Sequence, residues 1–220
     1  MFSASDNRLR DHVAKELCWD TRVGGADIAV SVAGGVVTLR GSVPSYARKV
    51  AALEAAHRVR GVLDVADETE VRPERRYDDA EIAQALRHAL EWDVLVPDED
   101  ITSTVAGGWV TLEGEVSNLR EREDAESAAL KIRGVLGVIN NITVRPPEVD
   151  PEDLRADIED ALERRADREA GRLRIEVSDG RVDLYGRVHS WQERRAVVGS
   201  ISHAPGVREV RNHLRIDPYF

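Results

Sequence analysis

Six histidines, one cysteine and 41 carboxylates are the side chains of this 220-residue sequence that could bind a metal, relay a proton or act as a nucleophile. Their spacing does not converge. His12, His57, His88, His189, His203 and His213 are scattered along the chain, whereas a zinc or catalytic centre needs several groups brought together from one folding unit. They read as surface or interface histidines. Cys18 is the only cysteine, which excludes an intramolecular disulfide framework and a multi-cysteine metal site. Beside Trp19 at the end of a helical pattern, it is expected to be a partly buried thiol. The carboxylates fall on helix faces and in first turns, where they are solvated. The pairs Gly34–Gly35 and Gly107–Gly108 lack the Lys-Ser/Thr and the helix that follow a phosphate-binding loop. No catalytic residue, cofactor or metal is expected.

Binding chemistry is better represented. Arg174, Arg181, Arg187, Arg211 and Arg215, with Tyr185 and His213, share one parity along three extended segments near the C-terminus, diluted by Glu176 and Asp183. Alternate residues of a strand point to one face, so these side chains form a basic, aromatic patch suited to an anionic headgroup or an acidic partner. The competing expectation is internal: the same arginines pair with acidic surface of the preceding repeat or of a second chain. Trp109, Ile139 and Trp191 are candidate interface residues, with Trp109 expected to pack between modules. Tyr46, Leu119 and Trp191 occupy equivalent places just inside a helix start and read as staple-like packing residues.

The elements that must position these groups repeat three times. Gly34-Gly35-Val36-Val37-Thr38-Leu39-Arg40-Gly41-Ser42-Val43 returns as Gly107 to Val116 and again as Asp179 to Val188, and each copy is followed by Gly61-Val62, Gly134-Val135 or Gly206-Val207. The apolar positions Leu9, Val13 and Leu17 recur as Ile82, Leu86 and Leu90, then as Leu154, Ile158 and Leu162. Their i, i+4, i+8 spacing gives one helix face. Asp78 with Glu81, and Asp150 with Pro151, supply helix starts. Two alternating segments follow, joined at Gly35, Gly108 or Gly180 by a turn that tolerates positive φ, and so predict a β-hairpin. Gly41, Gly114 and Gly186 fall on the inward parity of its second strand, where a missing side chain is expected to let a helix approach the sheet. A second helix starts at Ser45, Asn118 or Ser190. Glu121 and Glu193 stand at capping-box spacing, and Gly61, Gly134 and Gly206 are expected as left-handed caps at its end. A third strand closes the unit before Pro73, Pro146 or Pro218.

The pattern predicts an α+β fold of three tandem α-β-β-α-β modules, at 1–73, 74–146 and 147–220. Each should carry two helices on one face of a three-stranded mixed sheet, with a right-handed crossover. Short charged linkers suggest three beads with modest mutual contacts.

The Gly-Val-Val-Thr-Leu-x-Gly-x-Val signature, with its later Ala-rich helix and Gly-Val-x-x-Val, resembles the BON domain, the bacterial osmotically inducible periplasmic protein and nodulation domain. Copies one and two match best. Copy three departs at Arg181, Asp183, Tyr185 and Pro205. The resemblance implies a non-enzymatic role, binding phospholipid or anionic surfaces and supporting the envelope under osmotic stress.

Composition adds limits. A formal net charge of -10 opposes general affinity for nucleic acid. No apolar run reaches the roughly 20 residues that span a bilayer, and the N-terminus does not read as a secretory signal. The chain as written is expected in the cytoplasm, or in the periplasm if a leader has been removed. Its expected partners are an anionic phospholipid surface, an envelope protein or another copy of itself. A cytoplasmic protein-interaction or stress-response module without lipid binding is the alternative.

Overall fold

The computed structural model describes residues 4–24, 26–164 and 173–217. Each repeat folds as predicted. In module 1, helix α1 (Ala4–Trp19) precedes the hairpin β1 (Asp27–Ala33) and β2 (Val36–Val43), helix α2 (Tyr46–Arg58) and strand β3 (Asp64–Val71). Module 2 repeats this with α3 (Asp79–Trp92), β4 (Ile101–Ala106), β5 (Trp109–Val116), α4 (Leu119–Leu130) and β6 (Gly137–Val144). Module 3 has α5 (Pro151–Arg164), β7 (Arg174–Ser178), β8 (Arg181–Val188), α6 (Trp191–Ser202) and β9 (Glu209–Ile216). In every sheet the second strand is central, antiparallel to the first and parallel to the third.

The two periodicities build the cores. Val13 and Leu17, Ile82, Leu86 and Leu90, and Leu154, Ile158 and Leu162 are buried on the first helices. They pack with Val37 and Leu39 of the first sheet and with Val110, Leu112, Val182 and Leu184 of the others. Ala52 and Ala56, or Ala125 and Ala129, bring the second helix onto the sheet in modules 1 and 2, while Val197 and Ile201 fill that layer in module 3. Burying each large aliphatic side chain contributes roughly 1.5–3 kcal/mol.

Three local expectations change. Asp78 and Glu81 close a capping box on α3, but Glu121 and Glu193 reach one residue further back, accepting from the amides of Ser117 at 2.8 Å and His189 at 2.6 Å. The second helices end before their glycines, at Val59, Lys131 and His203. Gly61, Gly134 and Gly206 instead occupy the third position of the next turn, closed by amides of Val62, Val135 and Val207. Their φ of 99°, 92° and 90° is what that turn position demands. Gly41 and Gly114 do not admit a helix. With φ of 131° and 142°, they let the neighbouring strand approach: a Cβ there would stand 1.9 Å from the Asp27 carbonyl oxygen or 2.1 Å from that of Asp100.

Contacts between the modules are modest, as expected, but specific. Buried residues of modules 2 and 3 form one continuous apolar cluster. The first turn of each second helix docks on another module, always in the same sense. Tyr46 packs on the cluster of modules 2 and 3, and its hydroxyl meets the Val138 backbone. Leu119 is buried in the same cluster, while Arg120 reaches His203 at 3.4 Å. Trp191 packs on the core of module 1, stacks on His57 at 4.0 Å and donates its indole N–H to the Leu63 carbonyl at 3.2 Å. Beside it Arg195 pairs with Glu54 at 2.8 Å. The contacts run from module 1 to 2, from 2 to 3 and from 3 back to 1, so the chain closes on itself. Tyr46 and Trp191 are thus contacts between modules rather than staples within one helix start, and beside Leu119 it is Arg120 that crosses to module 3.

Candidate interaction surfaces

Helices cover one face of each sheet and leave the other to solvent. On that face in module 3 stand all the basic residues that parity selects, and the register brings them together. Parallel pairing of β8 with β9 sets Arg181 opposite Glu209, Asp183 opposite Arg211, Tyr185 opposite His213 and Arg187 opposite Arg215. Arg181 and Arg211 both bond Glu209, at 3.0 and 2.8 Å, and their guanidinium groups hold its carboxyl below the usual range. Arg187 meets Asp217 at 3.6 Å, and Arg174 meets Glu176 at 3.4 Å. The Arg174 guanidinium lies 4.6 Å over the Tyr185 ring, which stacks on His213 at 4.7 Å. His213 contacts Asp183 at 3.1 Å.

The patch is therefore a lattice of charge pairs closed within one sheet, not a surface matched to module 2. Four of its arginines are answered by Glu176, Glu209 and Asp217, and His213 by Asp183. Strand parity places Glu209 and Asp217 on this face too, a signal the sequence carried. Arg215 has no ion-pair partner among the described residues.

The other open faces differ. In module 2, Trp109 is 51% exposed and lies across Gly137 of its own sheet, where an added Cβ would stand 2.4 Å from the ring. It does not pack between modules. Ile139 is 46% exposed on the same face, where Arg145 pairs with Glu115 at 2.9 Å. On the open face of module 1, Arg40 is bonded to Glu68 at 2.6 Å.

Two of the cavities at module boundaries border module 3. One, of about 510 Å³, gathers Glu54 of module 1, Glu123 of module 2 and Trp191, Arg194 and Arg195 of module 3. Burial pushes the His57 imidazole on its wall below its ordinary pKa. The other, of about 500 Å³, lies between the linker at Pro146–Pro147 and the Asp179–Gly180 turn. Cys18 is exposed rather than partly buried, because the buried stripe of α1 runs through Val13 and Leu17 and turns the next residue outward. Among the described residues there is no group of three or more His, Cys, Asp or Glu placed to hold a metal, and no helix long and apolar enough to cross a membrane.

The family model of the BON domain matches residues 5–73, 78–146 and 150–218. No curated protein matches the chain in sequence. Two solved structures of CdsD, a structural protein of the Type III secretion system of Chlamydia trachomatis, are each 15% identical and cover 96% of this chain. They are covered over 92% and 98% of their own length, with TM-scores of 0.28 and 0.27. The PrgH periplasmic domain is 11% identical over 89% of this chain and 98% of its own, with a TM-score of 0.23.

Proposed function

This chain belongs to the BON domain family in three tandem copies, and on that premise we propose that it is a non-enzymatic adaptor of the cell envelope, holding anionic phospholipid or envelope proteins on its open sheet faces. The observation that carries this reading is the closed chain of modules. Because each module docks on the next and the third returns to the first, the open faces are held in a fixed relation. Weak sites held together gain avidity when their geometry lets them engage at once. Membership of the family supplies the envelope and stress context.

Anionic vesicles test the lipid arm. The full chain is expected to co-sediment with phosphatidylglycerol vesicles at low ionic strength, where surface charges are least screened. Binding should fall when Arg215, a cation of the module 3 open face with no ion-pair partner among the described residues, becomes Glu. No co-sedimentation at low salt overturns lipid binding.

One observation favours the alternative of a protein-interaction or stress-response module without lipid affinity. Four of the five arginines on the module 3 face meet Glu176, Glu209 and Asp217, and Asp183 holds His213, so little positive charge remains there. A mosaic of alternating charges around Tyr185 suits a protein surface of complementary pattern better than a uniformly anionic bilayer. A chain that ignores the vesicles, yet retains from osmotically stressed cells a partner that Tyr185→Ala releases, supports this second reading.

A further inference from the structure

The three hairpin turns share a backbone but not a partner. In module 2 the amides of Gly107 and Gly108 donate to the two carboxylate oxygens of Asp79, each at 2.8 Å. In module 1 the amide of Gly35 donates to Asp6 at 3.4 Å. Asp6 and Asp79 hold the same place, three residues before Leu9 and Ile82, the first apolar residues on the packed face of their helices. Module 3 has Pro151 there, and proline has no carboxylate to offer.

The turn itself is intact. Asp179 and Gly180 have φ of 47° and 70°, close to the 58° and 79° of Gly107 and Gly108. The amide of Arg208 donates to the Gly180 carbonyl at 2.8 Å, as that of Leu136 does to Gly108. Consecutive N–H groups on such a turn form an anion-binding concavity. Among the described residues nothing accepts from the amides of Asp179 or Gly180.

A second change accompanies the loss of the aspartate. Where modules 1 and 2 place Leu63 and Leu136 against the turn, module 3 places Arg208, whose stem would lie 3.4 Å from a Cβ at Gly180. Its guanidinium has no ion-pair partner among the described residues. Module 3 thus lacks the internal anion and gains a cation at one point. The cavity beside it, of about 500 Å³, is walled by Pro146, Pro147, Val149 and Pro151. In modules 1 and 2 the groups that fill the equivalent turns are aspartate carboxylates, which points to an acidic side chain as the occupant here. Glu148 and Asp179 also border the cavity, so a ligand must be held by directed donors rather than by diffuse charge. Arg145 on the rim is already engaged by Glu115 at 2.9 Å.

We propose that the Asp179–Gly180 turn, with Arg208 beside it, is a docking site for an acidic side chain of a protein partner, which supplies from outside the carboxylate that modules 1 and 2 supply from within. The site lies on a turn and a linker, not on the sheet faces, so the outcome of the vesicle experiment leaves it untouched.

The test is an NMR titration of the full chain with the capped peptide acetyl-Val-Asp-Val-amide, its Asn counterpart and inorganic phosphate. The Asp peptide is expected to move the Asp179 and Gly180 amide resonances, and the Asn peptide is not. Arg208→Leu should weaken that binding roughly tenfold, as loss of a charge-assisted hydrogen bond does. Asp179→Gly should strengthen it by removing a like charge. Pro151→Asp should abolish it, because an internal carboxylate then fills the turn as Asp79 does in module 2. Equal shifts from the Asn peptide, shifts from phosphate alone, or binding unchanged in both Arg208→Leu and Pro151→Asp would each overturn the proposal.

Discussion

At the scale of single residues, two kinds of glycine look alike in sequence and behave oppositely. Gly114 sits at φ 142° against the Asp100 carbonyl, a conformation L side chains rarely adopt. Gly199 lies inside α6 with nothing within 4 Å of an added Cβ. Gly114→Ala is expected to cost about 2 kcal/mol or more, and Gly199→Ala to stabilise by about 0.5–1 kcal/mol. Urea titrations of both variants, with unchanged slopes, check the pair. Equal effects would refute this reading of Gly114. The same scale holds the difference between Asp79 and Pro151, one residue type that decides whether a turn is satisfied from within.

At the scale of elements, the first helices depend unequally on their starts. Among the described residues, α3 alone of the first helices has a reciprocal box, in which Asp78 accepts from the Glu81 amide at 2.7 Å and Glu81 accepts from the Asp78 amide at 3.2 Å. Asp78→Ala should destabilise module 2 by about 1 kcal/mol, seen as earlier exchange of the amides in the first turn of α3. The strands show how far pattern alone reaches. Alternation identified the core side of every strand, because that information is local. It did not pair Arg181 and Arg211 with Glu209, since that depends on the parallel register of two strands joined through a whole helix. The end of α2 was misplaced for a related reason. A glycine two residues beyond a helix serves equally as a cap or as the third residue of a turn, and only the backbone distinguishes them.

At the scale of the whole molecule, closure from module 3 to module 1 rests on few groups. Trp191 supplies a stack on His57, a hydrogen bond to Leu63 and contact with the core of module 1. Trp191→Ala is expected to uncouple module 1 from the joint cluster of modules 2 and 3. Thermal unfolding should then separate into non-coincident transitions, and small-angle scattering should report a larger radius of gyration. A double-mutant cycle with His57→Ala should give a coupling of about 0.5–1.5 kcal/mol. A single unchanged transition would show that the ring does not depend on this contact. Closure also bears on the proposed role, because a ring fixes the directions of its binding faces where a flexible string would not.

The amino-acid sequence by itself determined the threefold repeat, the order of elements, the core residues and the side of each sheet left open. Those features follow from periods of two and 3.6 residues and from turn residues read within a short window. Tertiary structure alone decided what the open-face arginines pair with, why Gly41 and Gly114 are glycine, and that Tyr46 and Trp191 join modules. These facts depend on register and docking between segments as far apart as the 128 residues separating Leu63 from Trp191. No local pattern encodes a distance of that kind. The turn of module 3 stands between the two cases: its altered residues were visible in the sequence, but their meeting at one empty pair of amides was not.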